Sequence, residues 1–487
     1  MEKKRQFEDI EFEDYGDDKD DEEQDNIEES DDEFEGDEVI EEEQDDDQTG
    51  GGEEGGDAEM DDEEEGKSNA PTRVWRPGVD ALEDDEYLTY DSTAYDMMHS
   101  MTVEWPCLSF QPLKDTLGNQ RNKYPHTMYM VAGTQADQAK NNRILVMKIS
   151  ELHKTKHDED EDDDASDVDQ DDDEDENIDT DREVELVTSS IPHNGCVNRI
   201  RAMDQQSNIV ATWSDSRQVY IWDIQNNLKR LDTDDNKAVK GQGPIHVVSA
   251  HTDEGYALDW SPIALGRLAS GDCAHNIHVT SAAGAAWKTD TVAYKGHTGS
   301  VEDIQWSPSE ESVFASSSTD KSIKIWDIRQ HSKPAISVQA HDADVNVISW
   351  SRRVEYLIVS GCDDGSFRVW DLRNFKSHEP VSHFNYHTGP ITSIQWNPWD
   401  ESQVIVASAD NQVTIWDFSL EEDTEEFQGV KGENDQDDYQ IPPQLFFIHQ
   451  GQSDVKEVHW HPQIPHVAVT TSFTGFNIFK SSNAEEQ

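Results

Sequence analysis

The chain has 487 residues, with 107 Asp and Glu against 38 Lys and Arg, giving a formal net charge of −69. Such a balance disfavours direct contact with nucleic acid or anionic membrane and favours basic protein partners. The charged start MEKKRQFEDI and the lack of any apolar run of membrane-span length argue against a secretory signal and a membrane anchor. Cys107, Cys196, Cys273 and Cys362 stand far apart with no CxxC spacing, so neither a zinc site nor a disulfide framework is expected. A reduced compartment, cytosol or nucleus, follows.

In chain order, residues 1–71 read as a disordered acidic tail. Positions 1–70 alone hold 36 acidic and 5 basic side chains, too little apolar surface to offset the entropy of ordering. Residues 72–102 read as a linker and an amphipathic helix: Tyr95, Met98 and Met101, with Met97 and Tyr87 nearby, fall on helical spacing after a capping candidate at Asp91 or Ser92. Residues 103–481 then alternate short apolar runs with turn residues. TVEWPCLSFQPL, HTMYMVAGT, NRILVMKIS and REVELVTS predict four strands. Between the last two lies an insertion, residues 158–181, with 17 acidic and no basic side chains. A long surface loop of this kind costs a fold little, because closure entropy grows only logarithmically with length. Its carboxylates, Asp158, Glu159, Asp160, Glu161, Asp162, Asp163, Asp164, Asp171, Asp172, Asp173, Glu174, Asp175 and Glu176, are the expected contacts for a basic client. Ser30 in EESDDE and Ser166 in DASDVDQDD are candidate sites for an acid-directed kinase.

Five segments then repeat, led by His193, His251, His297, His341 and His387, and a sixth starts at His449. From His251 to His387 these histidines are 46, 44 and 46 residues apart, and in four copies a Trp follows its His by 29. A period of this length with a terminal Trp-Asp resembles the WD repeat, whose unit is one four-stranded propeller blade. With the four strands before them, the copies make an all-β, seven-bladed β-propeller the expected fold. A second acidic loop falls at residues 420–438, including EEDTEEF, and residues 482–487 form a short tail.

His297, Ser316 or Ser318, and Asp320 contain the residue types of a hydrolase triad, but the same His-to-Asp interval recurs at His341 and Asp364 and at His387 and Asp410. An active site needs one constellation, so the repeated one is read as structural: each His ties its leading loop to the Asp turn and to the Trp indole. Ser216 stands where Asp is expected and His278 where Trp is expected, so those two blades should be less well tied. Neither a catalytic site nor a metal or cofactor site is assigned. Specific contacts are expected near the channel mouth on the His-bearing face, at Asn198, Tyr256, Glu302, Asn346, Thr392 and Lys456, which share one slot but differ in chemistry. WDIR and WDLR place Arg329 and Arg373 in the pattern by which WD-repeat adaptors dock on a cullin ubiquitin-ligase scaffold.

The ordered series EWPCLSF, VATWSDSRQVYIWDI, HTDEGYALDWSP, LASGDCAHNIHV, GHTGSVEDIQWSP, AHDADVNVISWSR, NYHTGPITSIQWNP and PPQLFFIHQGQSDVKEVHWHP resembles the glutamate-rich WD-repeat family over about residues 72–481. The expected amino-terminal helix also resembles that of the related histone-binding WD-repeat chaperones. The resemblance implies a ribosome-assembly chaperone dedicated to ribosomal protein L-three of the large subunit. Such a protein captures the newly made basic client and delivers it to pre-ribosomal particles, working in nucleus and nucleolus with a cytoplasmic pool, as a monomer. The alternatives are a histone chaperone and a ligase adaptor.

Overall fold

A computed structural model describes residues 89–155, 183–233, 242–284, 286–420 and 442–485. The acidic-insertion carboxylates from Asp158 to Glu176, the candidate phosphorylation sites Ser30 and Ser166, the tail 1–71 and the acidic residues 421–438 lie outside the described residues.

The described chain forms seven four-stranded antiparallel sheets. Each blade starts with an inner strand running from the His-bearing end, here the upper end, to the lower end, and three further strands follow outward. In blade 4 these are Val301–Trp306, Val313–Ser318, Ser322–Asp327 and Ile336–Gln339. The other inner strands are Cys107–Leu113, Val197–Met203, Ala257–Trp260, Val345–Trp350, Ile391–Trp396 and Glu457–Trp460, for blades 1, 2, 3, 5, 6 and 7. The second and third strands are buried almost throughout, as in Val313–Ser318 and Ser322–Asp327, because both faces are covered by neighbouring blades. Apolar side chains collect between adjacent blades: Ile323, Val338, Ile348, Trp350 and Phe375 fill the seam between blades 4 and 5. Large buried aromatics such as Trp326, Trp370 and Trp416 occupy these seams, where each fully buried apolar side chain contributes roughly 1.5–3 kcal/mol.

The expected amino-terminal helix is not there. Tyr95–Met101 is a β-strand, the outer strand of blade 7, paired antiparallel with Gly475–Ser481. Among the described residues of this stretch, 89–102, only Ser92–Ala94 is helical, a single 3-10 turn with Asp91 as its cap. Met98 faces Phe479 and Met101 faces Phe476 across the strand pair. The misreading has a physical cause. This strand is covered on both faces: Met97 packs toward blade 1 with Phe110 and Met128, while Tyr95 and Met98 pack toward blade 6 with Phe447 and Val413. Burial on both faces removes the alternation that marks a strand, and a register shift between Tyr95 and Met97 breaks what parity remains. Apolar residues spaced by three then imitate a helix face. The ring therefore begins at Tyr95, not at residue 103, and its first strand is joined to its last. Gly475 makes the approach possible, since it has φ +132° and a Cβ there would lie 2.1 Å from the Met101 carbonyl oxygen.

Candidate interaction surfaces

The histidines serve the fold as expected of a repeated structural motif. In blade 4, His297 Nδ1 lies 2.9 Å from Asp320 Oδ2 and Nε2 lies 2.7 Å from Ser316 Oγ, which also accepts the Trp326 indole N–H at 2.8 Å. Blade 6 reaches the same end differently: Val406 replaces the serine, and Thr414 supplies the hydroxyl to His387 and Trp416. In blade 2, with Ser216 in the Asp slot, His193 Nδ1 turns to the Gly195 carbonyl, while Thr212 still links its Nε2 to Trp222. Blade 3 keeps a carboxylate through Asp272, 3.2 Å from His251, but His278 has no link to the hydroxyl hub and pairs instead with the Asp290 carbonyl.

The six upper-face residues fall at the second position of successive inner strands or just before them. Three of them are used to join blades. Asn198 Nδ2 donates to Glu254 Oε2 at 3.0 Å and to the Gly255 carbonyl, Asn346 Nδ2 donates to the Ile391 carbonyl at 3.2 Å, and Thr392 Oγ1 donates to the Val455 carbonyl at 3.0 Å. Lys456 pairs with Asp454. Tyr256 and Glu302 are half-buried near one another; burial, reinforced by Glu254, Cys273 and Glu302, pushes the Tyr256 hydroxyl up to about 12, and burial also raises the Glu302 carboxyl. The result is an acidic, aromatic patch over blades 3 and 4.

Just below the mouth lies a charge cluster that sequence spacing does not reveal, because its members are more than 250 residues apart. Fully buried Glu457 accepts from Arg199 Nη1 at 2.8 Å, Arg201 Nη2 at 2.7 Å, Ser109 Oγ at 2.8 Å and the Phe110 backbone N–H at 2.8 Å. Burial opposes its charge, yet Arg201, His459 and Arg199 hold the carboxyl well below the usual range. Blades 1, 2 and 7 are thus pinned together around the closure seam. At the lower end of the channel a cavity of about 140 Å³ is lined by Arg201, Asp259, Gln305, Arg352 and Gln395 among others. Burial raises Asp259 to about 7, against the Trp306 backbone N–H that donates to it at 2.7 Å and the nearby Arg352 and Arg201.

The lower end also carries the flanks of the two acidic stretches that interrupt the blades, together with the start of the closing strand. Chain direction puts the start of Tyr95–Met101 there, the gap between Arg143–Leu152 and Glu185–Pro192 in blade 1, and the gap between Val413–Asp417 and Leu445–His449 in blade 6. Blades 6, 7 and 1 are consecutive around the ring. The flanks also touch: Thr155 N–H donates to the Asp96 carbonyl at 3.0 Å, Lys154 pairs with Asp96, and the Tyr95 ring packs on Phe447 at 5.3 Å. Arg329 and Arg373 sit at this end too, on blades 4 and 5. Each is clasped by the Asp two residues earlier, Asp327 or Asp371, and the Arg373 guanidinium lies 3.6 Å over the Tyr356 ring.

Comparison with known proteins gives matches across this architecture. Residues 288–327, 332–371 and 378–417 match the family described as WD domain, G-beta repeat. Each match begins within the outer strand of one blade or a few residues before it and ends with the third strand of the next, the offset that leaves blade 7 to be completed by Tyr95–Met101. Residues 85–153 match the family of histone-binding protein RBBP4 and its counterpart in the CAF1 complex, taking in that closing strand and three strands of blade 1. Glutamate-rich WD repeat-containing protein 1 of Dictyostelium discoideum is 65% identical over 424 residues, 87% of each chain. The chain belongs to the glutamate-rich WD-repeat family. Two other relatives are Protein HEAT STRESS TOLERANT DWD 1 of Arabidopsis thaliana, 52% identical over 85% of this chain and 92% of its own, and Ribosome assembly protein rrb1 of Schizosaccharomyces pombe, 42% identical over 86% of each. For this member of the glutamate-rich WD-repeat family, the closing strand, the acidic upper mouth and the cluster of acidic flanks are the features on which a functional reading rests.

Proposed function

We propose that the chain is a non-enzymatic assembly chaperone for a newly made, strongly basic large-subunit ribosomal protein, L-three, which it carries to pre-ribosomal particles in nucleus and nucleolus, with a cytoplasmic pool. The observation that carries this reading is that the flanks of two acidic stretches, in blades 1 and 6, lie at one end of the ring on either side of the closing strand, since residues so placed can act on one basic surface together. Polyacid segments can hold Lys and Arg that would otherwise meet RNA phosphate, and yield them to the RNA itself. The upper patch of Tyr256 and Glu302 supplies a more selective contact. The kinship with a protein named for ribosome assembly points the same way.

The test is client affinity across a salt series for the intact chain and for one with residues 156–182 replaced by a short Gly-Ser linker. Paired charges are expected to make log affinity fall with log salt, and the replacement to make that slope shallower. An unchanged slope and affinity would reduce the insertion to a solubility device. The match of residues 85–153 to a histone-binding family favours one alternative client of the same chemistry. Competition between core histones and the ribosomal protein for the purified chain separates the two: tighter histone binding would overturn the L-three reading.

A further inference from the structure

We propose that blade 5 holds a zinc ion through His341, Cys362 and Asp364, with water as the fourth ligand. The three residues are spread over 24 positions of sequence, but one ligand atom from each lies within 4.8 Å of the others. His341 and Cys362 are buried and Asp364 is exposed, so the group has a floor and a way in from solvent.

The sister blades show what is unusual. Cys362 occupies the slot of Ser318 in blade 4 and Ser408 in blade 6, where the serine Oγ accepts the backbone N–H of the turn aspartate at 3.1 and 3.2 Å. There the aspartate also pairs with the histidine Nδ1, at 2.9 and 3.0 Å. In blade 5 the corresponding His341 and Asp364 form no such pair. The nearest partner of His341 Nδ1 is Ser366 Oγ at 3.4 Å, a poor hydrogen bond, while the Asp364 carboxylate engages the Cys362 thiol. His341 Nε2 is committed to Ser360 Oγ at 2.7 Å, which also takes the Trp370 indole. Nδ1 is left as the nitrogen that can ligate, and the ring is oriented by the hydrogen bond at its other nitrogen, as metal-binding imidazoles are.

The donor set fits zinc. Thiolate and imidazole select a borderline-soft ion over magnesium or calcium, and three protein ligands with one open position is a common zinc arrangement. On binding, the S–H bond breaks as the Zn–S bond forms, and the proton leaves to solvent by way of Asp364. Zn²⁺ with one thiolate and one carboxylate is then electrically neutral, which a half-buried site can hold without an uncompensated charge.

Cobalt(II) is the probe. The full chain, stripped with chelator, is titrated with Co²⁺ and then Zn²⁺, in parallel with Cys362→Ser, which restores the residue of the sister blades and should fold normally. The intact chain should develop thiolate-to-cobalt charge-transfer absorption that saturates at one equivalent and is displaced by zinc. Cys362→Ser should lose that band and melt as a metal-free wild type does; Asp364→Asn should weaken affinity at least by the roughly 10–100-fold seen for outer-shell changes. Weak cobalt uptake by acidic segments gives no thiolate band. Absence of the band in the intact chain, or its persistence in Cys362→Ser, would overturn the site.

Discussion

The Tyr95 hydroxyl lies 2.8 Å from His449 Nδ1, joining the first strand of the ring to the outer strand of blade 6 across 354 residues of sequence. His449 leads the copy in which Phe479 stands at the position of the repeat tryptophan, and its ring stacks on Phe479 at 4.2 Å. Its Nε2 meets Asn477 at 3.2 Å. Tyr95 therefore takes the Nδ1 place that the turn aspartate holds in blades 4 and 6, and Asn477 takes the Nε2 place of the hydroxyl hub. Tyr95→Phe, which strands one buried nitrogen, should cost about 1–3 kcal/mol in chemical denaturation.

Closure itself should be separable from the rest of the fold. A chain beginning at residue 103 lacks the outer strand of blade 7 and exposes Phe447, Phe479 and Val413, so it should lose cooperative unfolding or melt far lower. A peptide covering residues 89–102, added in trans, should restore protection. Gly475→Ala should be as harmful as its small size is misleading, because both its backbone conformation and the Met101 carbonyl exclude a Cβ.

Glu457→Gln keeps the shape and removes the charge that Arg199 and Arg201 share. Two largely buried guanidinium groups then lose the carboxylate they both bond and keep only the less direct charge of Asp303, and a loss of roughly 3–5 kcal/mol is expected in equilibrium unfolding. A loss of less than about 1 kcal/mol would mean that solvent in the channel screens the pair.

The hydroxyl hubs give a graded prediction. Ser316→Ala orphans both His297 Nε2 and the Trp326 indole, whereas Ser270→Ala orphans only His251 Nε2, since blade 3 has His278 in place of a tryptophan. The first should be the more destabilising by about 1–3 kcal/mol, the cost of one more buried unsatisfied group.

Acid should act through the buried histidines. Burial lowers His449, His341 and His461 to about 3 and His126 to about 4, so the unfolded chain takes up protons first. Stability contributed by these groups is whole above the unfolded value of about 6.5 and is lost as pH falls from there toward their folded values. Asp259 works in the other direction: raised to about 7, it favours the fold most below its unfolded value of about 3.9 and progressively less as pH rises toward the folded value. Asp259→Asn should therefore raise stability on the alkaline side of neutrality and steepen the loss on acidification, measured as urea midpoints across pH.

The blades were legible because their information is local: the 29-residue His-to-Trp interval and the short apolar runs are set by strand length and turn chemistry within one repeat. What the sequence hid depends on distance along the chain. Tyr95–Met101 reads as a helix until its partner, Gly475–Ser481, is known, and nothing near Glu457 announces Arg199 and Arg201. The six upper-face positions could be found by alignment, but not that Asn198, Asn346 and Thr392 spend their polar groups on neighbouring blades. Spacing alone likewise argued against a metal, since it cannot see His341 beside Cys362.

The pairing of Ala94 with Ser482 across 388 residues puts a clock on the ring's birth. A nascent chain grows at about 5–20 residues per second, so roughly 20–80 s pass between the appearance of the first strand and that of its partner. Throughout that interval Tyr95, Met97 and Met98 sit on a strand whose ladder partner does not yet exist. Six blades can form behind the ribosome in order, yet the seventh waits for Gly475–Ser481, and a translation product truncated before that strand is left as an open arc with one sticky edge.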